Sequence, residues 1–135
     1  MLHGGAVNHV ALLVAALCGF VIGGLWYGPV FQKPWMTASG MTFEKGRQRN
    51  MLLVFGLTYV LNVMIAFGIA TLAGKGHGLL WTAHTGFFAS LIFIAPALGV
   101  VYLFEGRSLT HWLINAGYQV VNATVMGLVL GAWPT

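Results

Sequence analysis

The sequence predicts an all-α integral membrane protein: a four-helix transmembrane bundle with a short interfacial segment between its first and second helices. Three observations support this fold class. Of the 135 residues, 59% are hydrophobic and only 6% are charged, the uncharged residues form four long stretches, and the eight charged residues lie between those stretches. Since charged residues make up about a quarter of a soluble domain, so few cannot cover a soluble protein. The length is that of a single domain.

The same composition excludes several classes of protein. An ordinary soluble enzyme would need more surface charge, and a disordered chain would combine low hydrophobicity with many charges. The six Lys and Arg residues outnumber the two acidic residues. This excess reflects a shortage of acids and not a basic surface, so no nucleic acid is expected as a partner.

Four stretches without Asp, Glu, Lys or Arg predict the helices, and their lengths are 21, 23, 26 and 25 residues. They are Val7–Tyr27, Met51–Ala73, Leu79–Phe104 and Leu109–Trp133. A helix needs roughly 20 residues to cross a hydrocarbon core about 30 Å thick. Backbone groups in lipid must be satisfied within the segment, so each stretch predicts one spanning helix. The alternation expected of barrel strands is not seen.

The distribution of basic residues predicts the orientation. With four spans, the first and third connections share one side of the membrane, and they contain five of the six Lys and Arg residues. Those five are Lys33, Lys45, Arg47, Arg49 and Arg107, whereas Lys75 lies on the opposite side. Because basic connections stay in the cytoplasm, both termini are expected outside.

The first connection, 28–50, is the only long segment outside the spans and is rich in apolar residues. We expect it to fold back as an amphipathic stretch at the interface with the lipid bilayer. Thr42 has the character of a helix N-cap. Lys45, Arg47 and Arg49 would then meet anionic lipid headgroups, or they act only as determinants of topology.

Small residues recur four positions apart in every span, as in the series Ala15, Gly19 and Gly23 or Ala123, Gly127 and Gly131. In lipid, helices associate by close packing, and small residues one turn apart let two backbones approach. The pattern predicts packing within the bundle. The alternative is docking of a second copy or of a partner subunit.

Polar residues at membrane depth are the natural candidates for function. Asn115, Gln119 and Asn122 follow an i, i+4, i+7 spacing, which places them on one face of the fourth helix. Gln119 and Asn122 have a depth similar to that of Asn62 in the second span. We expect this face to point into the bundle and meet Asn62, with Thr58 and Tyr118 nearby. This polar face either holds the helices together by hydrogen bonds or lines a polar cavity or conduction path.

Histidine is the only other candidate for a reactive group. His9 and His84 lie in the outer parts of the first and third spans, which run in the same direction. Adjacent packing of these helices would bring both imidazoles to one depth, where they could ligate haem, another metal or the magnesium of chlorophyll. Hydrogen-bonding histidines are much commoner, so no cofactor is expected.

Catalysis has no support, since no paired carboxylates, Ser/His/Asp set or phosphate-binding glycine loop occurs. The sequence favours a non-enzymatic accessory or structural subunit, present as a homo-oligomer or within a larger membrane complex. One alternative is a small-solute or ion transporter or channel that acts as an oligomer and uses the polar face. The other is a membrane subunit that binds haem, metal or pigment through histidine.

Two blocks of the sequence stand out as motifs: Trp26-Tyr27-Gly28-Pro29 with Phe31 and Lys33 to Met36, and Ile114 to Tyr118 with Met126-Gly127. These two blocks resemble a bacterial domain-of-unknown-function family of small four-span membrane proteins. Glu105 fits the family's third connection, whereas Gln119 stands where the family pattern has a histidine. The resemblance implies the four-span fold and a bacterial inner-membrane location. It implies no activity.

Overall fold

The computed structural model describes residues 8–134. Four helices in this range are long and apolar enough to cross a membrane, and no strand occurs among the described residues. Their bounds are His9–Val30, Met51–Ala73, Leu79–Phe104 and Leu109–Ala132. The all-α fold with four spanning helices is therefore confirmed, and the chain is a multi-pass membrane protein. Val7, where the first span was expected to begin, lies outside the described residues.

The first span consists of α1, His9–Leu25, and a single π-helical turn, Trp26–Val30. The Asn8 side chain caps α1 by accepting a hydrogen bond from the Ala11 N–H. Pro29, which has no N–H to donate, lies inside the π-helical turn. The helix thus continues three residues past Tyr27, the end expected from the sequence.

The first connection contains two short helices, α2 at Gln32–Ser39 and α3 at Phe43–Arg47. Gly40 ends α2 with a φ of 73°, a left-handed conformation that favours glycine. The Thr42 side chain begins α3 by accepting from the Lys45 N–H at 3.1 Å. The N-cap expected at Thr42 is therefore confirmed.

The second span is α4, Met51–Ala73, and the fourth is α7, Leu109–Ala132. The third span is interrupted, since α5 at Leu79–Ala89 and α6 at Ala95–Phe104 are joined by a π-helical turn at Ser90–Ile94. The connections 31–50 and 105–108 lie at the same end of the bundle. This end is called the basic side below, because it carries five of the six Lys and Arg residues.

Helix α7 lies at the centre of the bundle. It packs against α5, α1, α4 and α6, while α1 also packs against α4. In the most apolar stretch of the fourth span 39% of the residues are buried, against 11% in the third span. The outward faces carry large apolar side chains such as Phe104, which is 90% exposed. This distribution is expected of helices whose outer surface faces lipid.

Glycines allow α5 and α7 to touch along their backbones. A Cβ atom at Gly86 would overlap the Ala123 carbonyl, and one at Gly127 would overlap the Thr82 carbonyl. A Cβ at Gly131 would lie 2.9 Å from Leu79 Cα. These glycines therefore serve packing within the bundle. Gly24 of α1 is different, because a Cβ there would meet nothing within 4 Å.

Candidate functional site

The centre of the candidate site is a buried pair of amides from two helices. Asn122 of α7 donates from Nδ2 to Asn62 Oδ1 of α4 at 3.1 Å. Asn122 is fully buried and Asn62 is 4% exposed. Asn62 is the middle residue of Met51–Ala73, so the pair lies near the middle of the membrane-spanning region. The structure thus brings together the two asparagines that share a depth in the sequence.

Asn115, two turns from Asn122 toward the basic side, has a different environment. It accepts a hydrogen bond from the Tyr27 hydroxyl at 2.6 Å and donates from Nδ2 to the Tyr102 hydroxyl at 2.8 Å. Tyr27 belongs to the π-helical turn of the first span, and Tyr102 belongs to α6. One amide therefore links three of the four spans by hydrogen bonds.

Helix α1 closes the site at Gly19. The Tyr118 hydroxyl donates to the Gly19 carbonyl at 3.0 Å, and this bond is buried. A Cβ atom at Gly19 would overlap Asn122 Oδ1, so only glycine lets α1 approach the amide pair this closely. The approach leaves Asn122 Oδ1 facing the backbone of α1.

Several buried polar atoms of the site have no hydrogen-bond partner. On the amides they are Asn62 Nδ2, Gln119 Oε1 and Asn122 Oδ1. The Asn122–Asn62 bond uses the Asn122 amino group and the Asn62 oxygen, so the Asn122 oxygen and the Asn62 amino group take no part in it. Gln119 lies between Asn115 and Asn122 on the same face, and its side chain is half-buried. Burying such atoms without partners is unfavourable.

Tryptophan ring nitrogens tie helices together near the site. Trp26 donates to the Ile114 carbonyl of α7 at 2.9 Å, and Trp112 donates to the Ala95 carbonyl at 2.9 Å. The Trp26 bond joins the first span to the fourth, and the Trp112 bond joins the third span to the fourth. Tryptophan near a span end is typical of an interfacial anchor, and here it also holds the backbone of a neighbouring helix.

A second cluster lies at the basic side, around the Tyr102 ring. The His111 ring packs against it with 4.9 Å between centroids, and the Arg107 guanidinium lies 5.5 Å from the Tyr102 centroid. Arg107 Nε donates to Glu105 Oε1 at 2.6 Å, and this bond raises the pKa of Arg107. His111 is only 4% exposed, and its Nδ1 has no hydrogen-bond partner. Tyr102 therefore contacts His111 and Arg107 through its ring, while its hydroxyl accepts the hydrogen bond from Asn115.

The structure leaves His9 and His84 as exposed side chains of different helices. His84 Nδ1 lies 3.0 Å from the Leu80 carbonyl of its own helix, and its ring stacks on Phe88. Each of the two parent helices packs on α7. Among residues 8–134, no group of three or more His, Cys, Asp and Glu residues is arranged to hold a metal ion.

The three basic residues of the first connection, Lys45, Arg47 and Arg49, are all exposed. Lys45 Nζ donates to the Gly40 carbonyl at 3.2 Å, which closes the turn between α2 and α3. The geometry leaves the charges of this segment on its surface, where water or lipid headgroups can reach them.

Of the three tyrosines at the site, Tyr118 was expected near Asn62, whereas Tyr27 and Tyr102 were not predicted to belong to the site. Tyr27, Tyr102 and Tyr118 supply most of the side-chain bonds that hold the polar face of α7. A signal for one of them existed, since Tyr27 and Asn115 both lie near the basic end of their spans. A hydroxyl that both donates and accepts is a natural partner for an amide at equal depth.

Comparison with known proteins places the chain in a family. The family model described as "Protein of unknown function (DUF1761)" matches residues 10–131. No curated protein and no solved structure matches the chain. The match covers nearly the whole chain, so the resemblance to a domain-of-unknown-function family is confirmed. This multi-pass membrane protein belongs to the DUF1761 family.

Proposed function

We propose that this protein is a non-enzymatic accessory subunit that packs against other proteins within the membrane. The observation that carries the proposal is the closed state of the polar face. Asn122 and Asn62 are bonded to each other and buried, and Asn115 is held between two tyrosine hydroxyls. A scaffold needs such a face closed by mutual hydrogen bonds, whereas a transporter needs it open to water.

The surface that remains for a partner is apolar. The third span is the least buried of the four, and its outward side chains include Phe93 and Phe104. The connections 74–78 and 105–108 are too short to form a binding domain. Recognition within the bilayer would therefore rest on close packing of helix faces.

The absence of enzymatic activity is supported by the positions of the two carboxylates. Glu44 is exposed in α3, and Glu105 is bonded to Arg107 at the surface. General acid–base catalysis needs a titratable group placed within hydrogen-bond reach of a bound substrate. Neither carboxylate is part of the polar face.

The accessory role is tested by purification from native membranes in mild detergent, with an unrelated tagged four-span protein as the control. Co-purification in fixed stoichiometry with a larger membrane complex, absent from the control, is the expected result. Recovery of a homo-oligomer alone would contradict the accessory role.

We also propose that the protein lies in a bacterial inner membrane with both termini outside. The basic side carries Lys45, Arg47 and Arg49, which would face the anionic cytoplasmic leaflet. Alkaline phosphatase fused to the C-terminus should be active, and the same enzyme fused within the 105–108 connection should be inactive. The reverse pattern would invert the orientation.

Transport of a small solute by an oligomer is the second candidate function. It is favoured by Gln119, which lies on the same face of α7 as Asn122 and whose side-chain oxygen has no hydrogen-bond partner in the protein. Purified protein in sealed vesicles should then speed solute entry, and Asn122→Val should abolish the effect. Equal rates in protein-free vesicles would exclude this candidate for the solutes tried.

A further inference from the structure

The segment between α2 and α4 carries the densest positive charge of the chain. Residues 41–50 contain Lys45, Arg47 and Arg49 but a single acidic residue, Glu44, and all four are exposed. In the part of the chain that the structure describes, none of the three cations forms an ion pair with a carboxylate, and the ion pair on this side joins two residues of the third connection. The charge of the segment is therefore left for an anion outside the protein.

Local hydrogen bonds hold the three cations on a defined turn. Lys45 Nζ donates to the Gly40 carbonyl at 3.2 Å, and the Arg49 N–H donates to the Gly46 carbonyl at 3.3 Å. The Arg49 guanidinium also returns to this turn, because a Cβ atom at Gly46 would lie 4.0 Å from Arg49 Nη2. The Lys45 ammonium uses one of its three donors in this way, so two remain for an anion.

Exposed apolar side chains flank the cations in the sequence. Phe43 is 64% exposed and lies one turn before Arg47, so both are on the same face of α3. Arg49 lies two residues before Met51, where α4 begins, and Leu52 in the first turn of α4 is 85% exposed. Cations beside exposed apolar side chains at the end of a span have the arrangement of a segment that lies in the membrane interface.

Charge and apolar surface together define the partner. Ammonium and guanidinium groups donate to phosphate oxygens, and arginine can do so with two donors at once. A free phosphate ion would leave Phe43 and Leu52 in water, whereas a phospholipid offers a phosphate and acyl chains at adjoining depths. We propose that the α3 segment, residues 41–50, binds the headgroup of an anionic phospholipid through its three cations, with Phe43 in contact with the acyl chains.

Lipid binding is distinct from the orientation of the protein in the membrane. Orientation follows from the number of Lys and Arg residues in the short connections. Lipid binding follows from where these residues lie relative to apolar side chains, and it can be measured in detergent, where no orientation exists. It does not depend on the accessory role either, because co-purification with a larger complex and preference for a headgroup are separate measurements. Each can fail while the other holds.

The test is native mass spectrometry of the full-length protein in a non-ionic detergent, with phosphatidylglycerol or phosphatidylcholine of identical acyl chains added. Phosphatidylglycerol should bind more tightly. Arg47→Gln should weaken its binding about fivefold, the effect of one basic residue near a membrane surface. The triple variant Lys45→Gln, Arg47→Gln, Arg49→Gln should bind the two lipids equally. A triple variant that keeps the preference of the parent protein would overturn the proposal.

Matched variants separate this binding from a general effect of charge. Lys75→Gln removes the same charge from an exposed position on the opposite side of the bundle, and phosphatidylglycerol binding should not change. Phe43→Ser removes apolar contact and should weaken the binding of both lipids alike. Glycerol phosphate, the soluble headgroup, should bind more weakly than the lipid. The proposal is also overturned if Lys75→Gln acts as strongly as Arg47→Gln, if Phe43→Ser has no effect, or if glycerol phosphate binds as tightly as phosphatidylglycerol.

Discussion

The two sides of α7 are held to the rest of the bundle by different means. Toward α5, Gly127 and Gly131 of α7 and Gly86 of α5 bring the two backbones into contact. Toward α1 and α4, α7 presents polar side chains, and the contacts are the Asn122–Asn62 and Tyr118–Gly19 hydrogen bonds. The first side depends on shape and the second on pairing of polar atoms.

This difference determines how each side responds to change. A backbone cannot move aside as a flexible side chain can, so an added methyl group on the glycine side has no room. On the amide side, a smaller or apolar residue fits, and the cost depends on which atom loses its partner. The same type of substitution should therefore have unequal effects on the two sides.

The largest effect is expected for Gly86→Ala. The new methyl group would overlap the Ala123 carbonyl, so α5 and α7 must separate. Overpacking of this kind costs about 3 kcal/mol of unfolding free energy. Gly68→Ala in α4 is the control, because a Cβ there meets nothing within 4 Å. The control should be neutral or stabilising by up to about 1 kcal/mol, since alanine favours helix.

Reversible unfolding in mixed detergent micelles measures both variants. Equal stabilities for Gly86→Ala and Gly68→Ala would show that the helix contact on the glycine side is loose, and the contrast between the two sides of α7 would then fail.

The next effect is expected for Asn122→Val. It leaves the Asn62 oxygen buried without its partner, which costs about 2 kcal/mol. Asn62→Val should cost a similar amount for the same reason. Because the two residues form one pair, the double variant should be less destabilised than the sum of the single variants, by about 0.6 kcal/mol, the mean for such bonds in membranes. Additive effects would mean that the pair does not act as a unit.

The sequence was sufficient to predict where the four long apolar helices lie. Span limits follow from where charges cannot lie, a local property, and the second, third and fourth helices begin at the expected residues. The depth of Asn62 and Asn122 is also local, since it depends only on distance from the span ends. Their meeting in the structure rests on that shared depth.

The sequence could not predict which helices touch. Small residues recur in every span, so nothing in the pattern distinguishes Gly86, packed on α7, from Gly24, which faces open space. The π-helical turn at Ser90–Ile94 immediately precedes Ala95-Pro96, and a proline inside an apolar stretch indicates a disturbed helix without specifying a π-helical turn. Nor does the sequence indicate that His111 is buried against Tyr102, where α6 packs on α7.

A smaller effect is expected for the hydrogen bond between Tyr27 and Asn115, which lies near the basic side of the bundle. Tyr27→Phe removes the donor to Asn115 Oδ1 and should cost about 1 kcal/mol. Thr71→Val is the control, because the Thr71 hydroxyl donates to the Phe67 carbonyl of its own helix at 2.8 Å and links no two spans. The control should stay within about 0.5 kcal/mol of the parent protein. Equal losses in the two variants would contradict the assignment of Asn115 as a link between spans.

The smallest effect is expected for Gln119→Leu, although Gln119 lies on the same polar face. Its Oε1 accepts no hydrogen bond from the protein, so the substitution removes an acceptor without leaving a protein donor unpaired. Leucine adds apolar surface at this half-buried position and removes a buried oxygen that has no partner in the protein. The unfolding free energy should therefore change by less than about 0.5 kcal/mol. A loss as large as that of Asn122→Val in the same unfolding assay would mean that Gln119 holds the bundle together directly. The expected difference in stability between changing the paired asparagines and changing the unpaired glutamine would then disappear.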